Sequence, residues 1–349
     1  MARAGKESSR FMERAVYANL GKISERTLVA PGKGLDNGVV SLGDGRVIIL
    51  TTDPVSEIPG FGAETSAWLS VHLIASDYTT SGRDPEFAIF TYNFPETMGE
   101  SERMTYVREV GEECGKLGVA IVGGHTGSYP GAGFTVIGSG TMVGLAPEGG
   151  YVTPAMARVG DVIMMTKHAA IEATASFALS FPAFVDAKTG KEEGRRAREM
   201  IRLCTTVEDA RAARMVGLGP GGVSSMHDAT EGGVLGALEE MAAASNRSFA
   251  VETSSIPVPS EVRQVCGAFG VHPLTTMGEG ALLITCGPDN MGQLQREMRR
   301  KGIRLTEIGE VGKGRGLWLK EDRIKPKRFV PKRDCYWSAY ERAVKGGLR

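Results

Sequence analysis

Short apolar runs alternate along this chain with longer stretches of helical periodicity, and the alternation occurs twice. In the first half, residues 47–50 read as a buried strand emptying into Thr51-Thr52-Asp53-Pro54. Residues 63–76 predict a helix with Trp68, Leu69, His72 or Leu73, and Ala75 inward, ending at Ser76-Asp77. Residues 87–94 alternate as a strand. Residues 99–117 form the clearest amphipathic helix, with Met104, Val107, Val110, Cys114 and Leu117 on one face and Gly118 as its stop. A strand at 119–122 then runs into Gly123-Gly124, and another strand spans 133–143.

Pro147, Gly149-Gly150 and Pro154 interrupt the chain between residues 145 and 160, which places a domain boundary there and gives domains 1–150 and 151–349. The second half opens with a strand at 161–165 that ends in Thr166-Lys167-His168, then a helix at 169–180. A charged helical cover occupies 191–216, and a helix with Leu235, Leu238 and Met241 inward ends near Ala244. Strands are predicted at 248–252, 281–286, 303–311 and 316–319, with helices at 259–268, 290–301 and 335–345. Residues 1–10 read as loose, and 11–20 as a short helix. Strands and helices mixed in both halves predict an α+β (mixed α/β) fold of two domains.

Composition narrows the function. The chain of 349 residues is long enough for two cores, and its formal net charge of zero gives no pull toward nucleic acid or a membrane surface. The 47 glycines follow no fixed period and cluster at the ends of apolar runs, where tight loops approach a ligand. The five cysteines are odd in number and scattered, as in a reducing cytosol. Without a leader-like or membrane-length apolar run, a cytoplasmic location is expected.

Candidate chemistry gathers in a few loops. Gly123-Gly124-His125-Thr126 follows an apolar run, and paired glycines there leave backbone N–H groups open to an anion. Asp36, Asp53 and Asp77 each border an apolar element. Singly, each reads as a turn residue or cap; together with the glycine loop they read as ligands for Mg²⁺ on a nucleotide triphosphate. There is no G-x-x-x-x-G-K-[ST] motif, and Gly217-Leu-Gly-Pro-Gly-Gly222 follows a helical stretch, so neither a P-loop nor a dinucleotide fingerprint is supported. His227-Asp228-Ala-Thr230-Glu231-Gly232-Gly233 either caps the next helix or binds an anion at its N terminus. Lys167 is either a surface lysine or a cation facing phosphoryl charge, and Glu279 either a solvated turn carboxylate or a base.

Taken in order, these motifs resemble the AIR synthase (PurM-like) superfamily over about residues 30–311, and in particular its HypE-like branch. The carrying segments are Gly34-Leu-Asp36-Asn-Gly-Val-Val40, Thr51-Thr52-Asp53, Ser76-Asp77-Tyr-Thr-Thr-Ser-Gly82, Gly123-Gly124-His125-Thr126, Thr166-Lys167, Met226-to-Gly233 and Pro273-to-Gly280. The resemblance implies N-terminal domains that pair across a two-fold into a β-barrel, with ATP near the dimer interface. It also implies ATP-dependent phosphorylation of a carbonyl, amide or thio-type group, after which that group is dehydrated or substituted. In these terms Asp36, Asp53 and Asp77 take Mg²⁺. Thr52, Gly123, Gly124, His125 and Thr126 contact ATP, and Lys167, His227, Asp228 and Glu279 face the substrate. The acceptor is a small molecule or a carbamoyl- or thio-type group on a partner. Three departures stand out. Leu35 replaces an acid, and His125 stands where many members carry one. HypE proteins carry their substrate on a cysteine at the extreme C terminus, whereas here Cys335 lies inside and the last residues are Lys345-Gly-Gly-Leu-Arg349. A reactive Cys and a Lys partner near the N terminus, expected of selenophosphate synthetases, are not found. The alternative is an ATP-binding sensor or assembly partner without turnover.

Overall fold

In a computed structural model of the chain, describing residues 4–22, 24–132, 135–321 and 324–348, the two halves each build one sheet. The first contains β1 (Thr27–Val29), β2 (Gly38–Ser41), β3 (Arg46–Glu57), β4 (Phe87–Pro95), β5 (Ala120–Tyr129) and β6 (Thr135–Pro147) in the order β1-β2-β3-β6-β4-β5. Among its described pairings only β4 and β5 run parallel, as the crossover between them requires. That crossover is helix α3 (Glu100–Leu117); it and α2 (Gly62–Thr79) cover one face of the sheet. A short helical arm, α1 (Ser9–Phe11) continued by turns to Asn19, precedes them.

Alternation along each strand separates two faces. Val47, Ile49, Val55, Phe90 and Phe94 point into the core under α2 and α3. On the opposite face Leu50, Phe87, Ile89, Val122, Val136 and Leu145 are exposed, so this face is apolar yet uncovered within one chain.

The second sheet comprises β7 (Val162–Thr166), β8 (Val223–Asp228), β9 (Ser248–Glu252), β10 (Leu282–Cys286), β11 (Leu305–Gly312), β12 (Gly316–Glu321) and β13 (Ile324–Arg328), ordered β13-β12-β9-β11-β7-β10-β8. Helices α4 (Ile171–Ser180), α5 (Pro182–Thr189), α6 (Lys191–Glu199), α7 (Val207–Arg214), α8 (Gly233–Ser245), α9 (Ser260–Phe269), α10 (Met291–Arg300) and α11 (Tyr336–Lys345) surround it. Residues Ile163, Met165 and Leu283 face one core, while Met164, Met226 and Ile284 face another with Leu294 and Met298 of α10. Burial on both faces explains why β8 and β10 carry unbroken runs of buried residues. Trp68 and Leu69 of α2 belong to the larger C-terminal core, and the Thr206 N–H donates to Ser76 Oγ at 2.9 Å, so α2 is the seam between the halves. Among the described residues the five cysteines are unpaired, four buried and Cys335 exposed, and no helix is long and apolar enough to cross a membrane.

Several element boundaries differ from the sequence expectation. Strand β3 does not end at Leu50; β6 runs beside it through Glu57, and Asp53 lies opposite Gly140 within the ladder. Asp77 lies in the last turn of α2 rather than in the loop after it. The Gly123-Gly124 stretch is not a loop, because β5 continues through it in register with Ile89 and Phe90. On α3 the buried residues are Tyr106, Val110, Glu113 and Cys114, while Met104 is 66% exposed and Val107 faces solvent. The strand expected at 133–143 is found from Thr135; Gly133 itself lies outside the described residues.

Candidate active site

Three hydrogen-bonded ties bring the acidic segments together. Thr51 Oγ1 of β3 donates to the Asp36 carbonyl at 2.8 Å. Asn37 Nδ2 donates to the Asp77 carbonyl at 2.8 Å and to Thr80 Oγ1 at 3.0 Å, fixing the loop to the end of α2. His227, near the end of β8, places Nδ1 2.9 Å from Asp36 Oδ2 and Nε2 3.2 Å from Glu240 Oε2 of α8. Gly34 lets the loop lie this close: its φ is +70°, and a Cβ there would sit 2.7 Å from Cβ of Glu240. Asp36, His227 and Asp228 thereby present ligand atoms within 4.8 Å of one another.

The electrostatics describe a single cluster. Burial raises the Asp77 carboxyl well above its usual range, and the charges of Asp228, Asp53 and Asp36 raise it further. Burial also lifts Asp53; Lys6 opposes the rise, Asp228 and Asp36 add to it, and the result is about 6. Asp36 is raised by burial, with His227 pulling against the rise. Burial alone would keep His227 neutral, but Asp36, Asp228 and Glu240 outweigh it and hold the imidazolium. Burial likewise opposes ionisation of Glu240, yet the hydrogen bond from His227 and the Lys6 charge bring it down to about 2.

Glu279, 1% exposed, faces the same space from the loop before β10, so it is not a solvated turn residue. Burial and the Asp228 charge push its carboxyl well up. Burial also opposes ionisation of Asp228, but contact with His227 and with Glu279 keeps it below the usual range. Of the two carboxyls, Glu279 is the one that burial and the neighbouring charge keep protonated. Neither Asp228 oxygen nor Glu279 Oε1 has a hydrogen-bond partner in the geometry of the described residues, so this corner is open for a ligand.

Other expected site residues stand elsewhere. Lys167 is no free cation: Nζ donates to both Asp209 oxygens at 2.8 and 2.7 Å, to the Thr205 carbonyl at 2.8 Å and to the Gly280 carbonyl at 2.7 Å. Its three protons are used, and its charge is balanced inside the protein, so it positions the strand after Glu279. Thr52 alternates to the outer sheet face, where Oγ1 donates to the Gly140 carbonyl at 2.9 Å. Gly123, Gly124, His125 and Thr126 lie on the exposed edge strand β5, separated from β3 by β4 and β6. Gly124 must be glycine for a packing reason, since a Cβ there would strike the Phe90 carbonyl oxygen. His125 Nε2 lies 2.6 Å from Tyr129 Oη.

Three groups at the site lie outside the sequence expectation. Lys6 is not loose: its N–H reaches both Glu231 oxygens at 2.9 Å and Nζ donates to Thr230 Oγ1 at 2.9 Å. Burial works against its charge, but Glu240, Asp77, Asp36 and Asp228 outweigh that and keep it ionised. A lone lysine in a polar stretch gives no sequence signal. Glu240 hides among the polar positions of an amphipathic helix. Glu172 was legible, as a charge inside the apolar run Ile171-to-Leu179.

Two family models match this chain: the AIR synthase related protein N-terminal domain over residues 34–146 and the C-terminal domain over 158–320. The chain belongs to the AIR synthase related family. This AIR synthase related protein is 25% identical over 286 residues to the carbamoyl dehydratase HypE of Bradyrhizobium diazoefficiens, covering 80% of this chain and 78% of the relative. It is 28% identical to the selenide, water dikinase of Methanococcus maripaludis, covering 57% of this chain and 60% of the other. In fold it is similar to E. coli HypE, a hydrogenase maturation protein (TM-score 0.68, 21% identity, 83% of this chain and 88% of that one). It is similar too to a HypE solved in complex with ATP (TM-score 0.66, 18% identity, 95% and 96%). The carboxylates that gather at the seam all fall within the two matched segments, whereas Lys6 lies before the first of them.

Proposed function

We propose that this chain is a Mg²⁺- and ATP-dependent enzyme that phosphorylates a carbonyl, amide or thio-type group, as a HypE-like member of its family. The observation that carries the reading is the convergence of Asp36, Asp53, Asp77, Asp228 and Glu279 from five separate segments at one seam, opposed by Lys6 and His227. Ionising so many buried carboxyls together needs cations. The donors are mostly hard carboxylate oxygens, which suits Mg²⁺. Asp36, Asp53, Asp77 and Asp228 would hold it, and His227 is engaged at both nitrogens as the strut that aims Asp36. When bound, the cation would neutralise phosphate charge. Both the clustering of carboxylates and the chemistry that the relatives' names describe support this reading.

In the transfer, the acceptor oxygen or sulfur forms a bond to the γ-phosphorus as the bond to the bridging oxygen breaks, and the electron pair leaves with ADP. Lys6, whose Nζ bonds Thr230 Oγ1, would supply an ammonium to the transferring group's charge. Glu279, kept protonated by burial beside Asp228, would serve as a proton donor toward the acceptor. The residues expected to contact ATP on β5 are exposed, and the outer sheet face is apolar; both fit a homodimer in which a second copy covers them. Residues 1–150 and 151–349 are taken as the two domains.

The test is ADP release with Mg²⁺ and a panel of carbamoyl, formyl and thio acceptors. Asp53→Asn is expected to lower turnover at least about a hundredfold while leaving the circular dichroism unchanged. Wild-type turnover retained in Asp53→Asn overturns the assignment.

A further inference from the structure

A cavity of about 440 Å³ opens beside the acidic cluster, between β3, α2, α4 and α11. Its apolar walls include Ile58, Phe61, Leu73 and Met277. Tyr336, Trp337 and Tyr340 of α11 close it. That helix lies beyond residue 320, where the family match ends.

The wall is built firmly. The Ser176 hydroxyl hydrogen-bonds Tyr336 Oη. Asp334 accepts from Tyr336 N at 2.8 Å, Thr276 Oγ1 at 3.1 Å and Gly232 N at 3.0 Å, which pins the start of α11.

The polar lining is one-sided. Asp53, Glu172, Glu231 and Glu279 line the cavity against the single ammonium of Lys6. The Lys6 ammonium bonds Thr230 Oγ1 and its charge acts on Asp53, while Glu231 is met only by the Lys6 backbone N–H, so Lys6 pairs with neither Glu172 nor Glu279. Glu279 Oε1 is buried there without a hydrogen-bond partner. An anionic guest would meet the charges of Asp53 and Glu231. A cationic one would let Glu172 and Glu279, which burial otherwise keeps protonated, ionise and pair with it, and would lay its body against aromatic rings.

We infer that this cavity is the acceptor site and that it takes a small free organic cation, an amine or amidine with a flat apolar body that also carries the oxygen or sulfur to be phosphorylated, its charged nitrogen facing Glu172 and Glu279. Only the ligand's role as acceptor rests on the phosphoryl-transfer reading; its charge and shape rest on the cavity.

Calorimetric titration of the full chain with phenethylammonium, 2-phenylethanol and phenylacetate tests this. The ammonium is expected to bind. The alcohol should bind at least about tenfold more weakly, the usual worth of one charge-assisted hydrogen bond, and phenylacetate not at all. Glu172→Gln, which conserves volume, should weaken the ammonium about tenfold or more. Trp337→Ala should weaken it roughly fivefold or more. If Trp337→Ala fails to fold, Glu172→Gln decides. No ammonium binding at millimolar concentration, equal binding of the alcohol or the acid, or indifference to Glu172→Gln overturns the proposal. A parallel titration with MgATP separates the two readings. MgATP binding without ammonium binding sinks this proposal alone, whereas absent MgATP binding sinks phosphoryl transfer whatever the cavity holds.

Discussion

Glu172 shows how one buried side chain sets a solution property. Burial, with the charges of Asp334, Asp53 and Glu231 behind it, pushes its carboxyl up to about 8. The folded protein therefore holds a proton that the unfolded chain has already released above about pH 4.5. The stability this contributes is full below that pH and is lost as pH rises toward 8, on the order of 5 kcal/mol in all. Urea denaturation of the metal-free protein between about pH 5 and about pH 8 should show falling stability, and Glu172→Gln should flatten that slope. An unchanged slope in the variant would mean that Glu172 ionises freely. Asp53, raised to about 6, adds to the same trend in its own narrower window.

Elements matter here because each carries a residue that could not reach the site alone. Lys167, at the end of β7, joins α7 through Asp209 to the Gly280 carbonyl just before β10. Its φ of 53° is a strained backbone conformation for a lysine, sustained by that four-way anchor. Lys167→Met strands the buried Asp209 carboxylate and should lower stability by about 3–5 kcal/mol, as a shift in the urea midpoint at unchanged slope. Loss of ADP release with stability intact would instead return Lys167 to the reacting groups. The 3.6-residue period found α3 and placed Val110, Cys114 and Leu117 against the core, but not Met104 and Val107; Tyr106, which donates to the Ser56 carbonyl at 3.0 Å, turns inward instead.

At the scale of the molecule, the uncovered apolar face of the first sheet calls for a partner surface. Ile89 stands there at 45% exposure and Val122 at 63%. If a second copy covers that face, the wild-type protein sediments as a dimer, and Ile89→Glu shifts it to monomer at micromolar concentration. A monomeric wild type would remove the dimer from the proposed function. The site itself is a product of the seam: the N-terminal half contributes Lys6, Asp36, Asp53 and Asp77, the C-terminal half His227, Asp228 and Glu279. Neither half holds enough of these groups to gather the charge alone.

Periodicity and punctuation determined most elements, because a strand or helix is selected largely by which of its own residues are apolar; β9 and α10 were bounded to within about two residues. The acidic motifs at Asp36, Asp53 and Asp77 were legible for the same reason, each bordering an apolar run. Tertiary structure alone decided that β3 continues past Pro54 and that Gly123-Gly124 lies in a strand, since a ladder is set by the neighbour that pairs with it. It alone turned Lys167 into a strut and brought Lys6 into the acids. Charge acts through space, and a residue's field is fixed by what folds beside it, which no local stretch of sequence records.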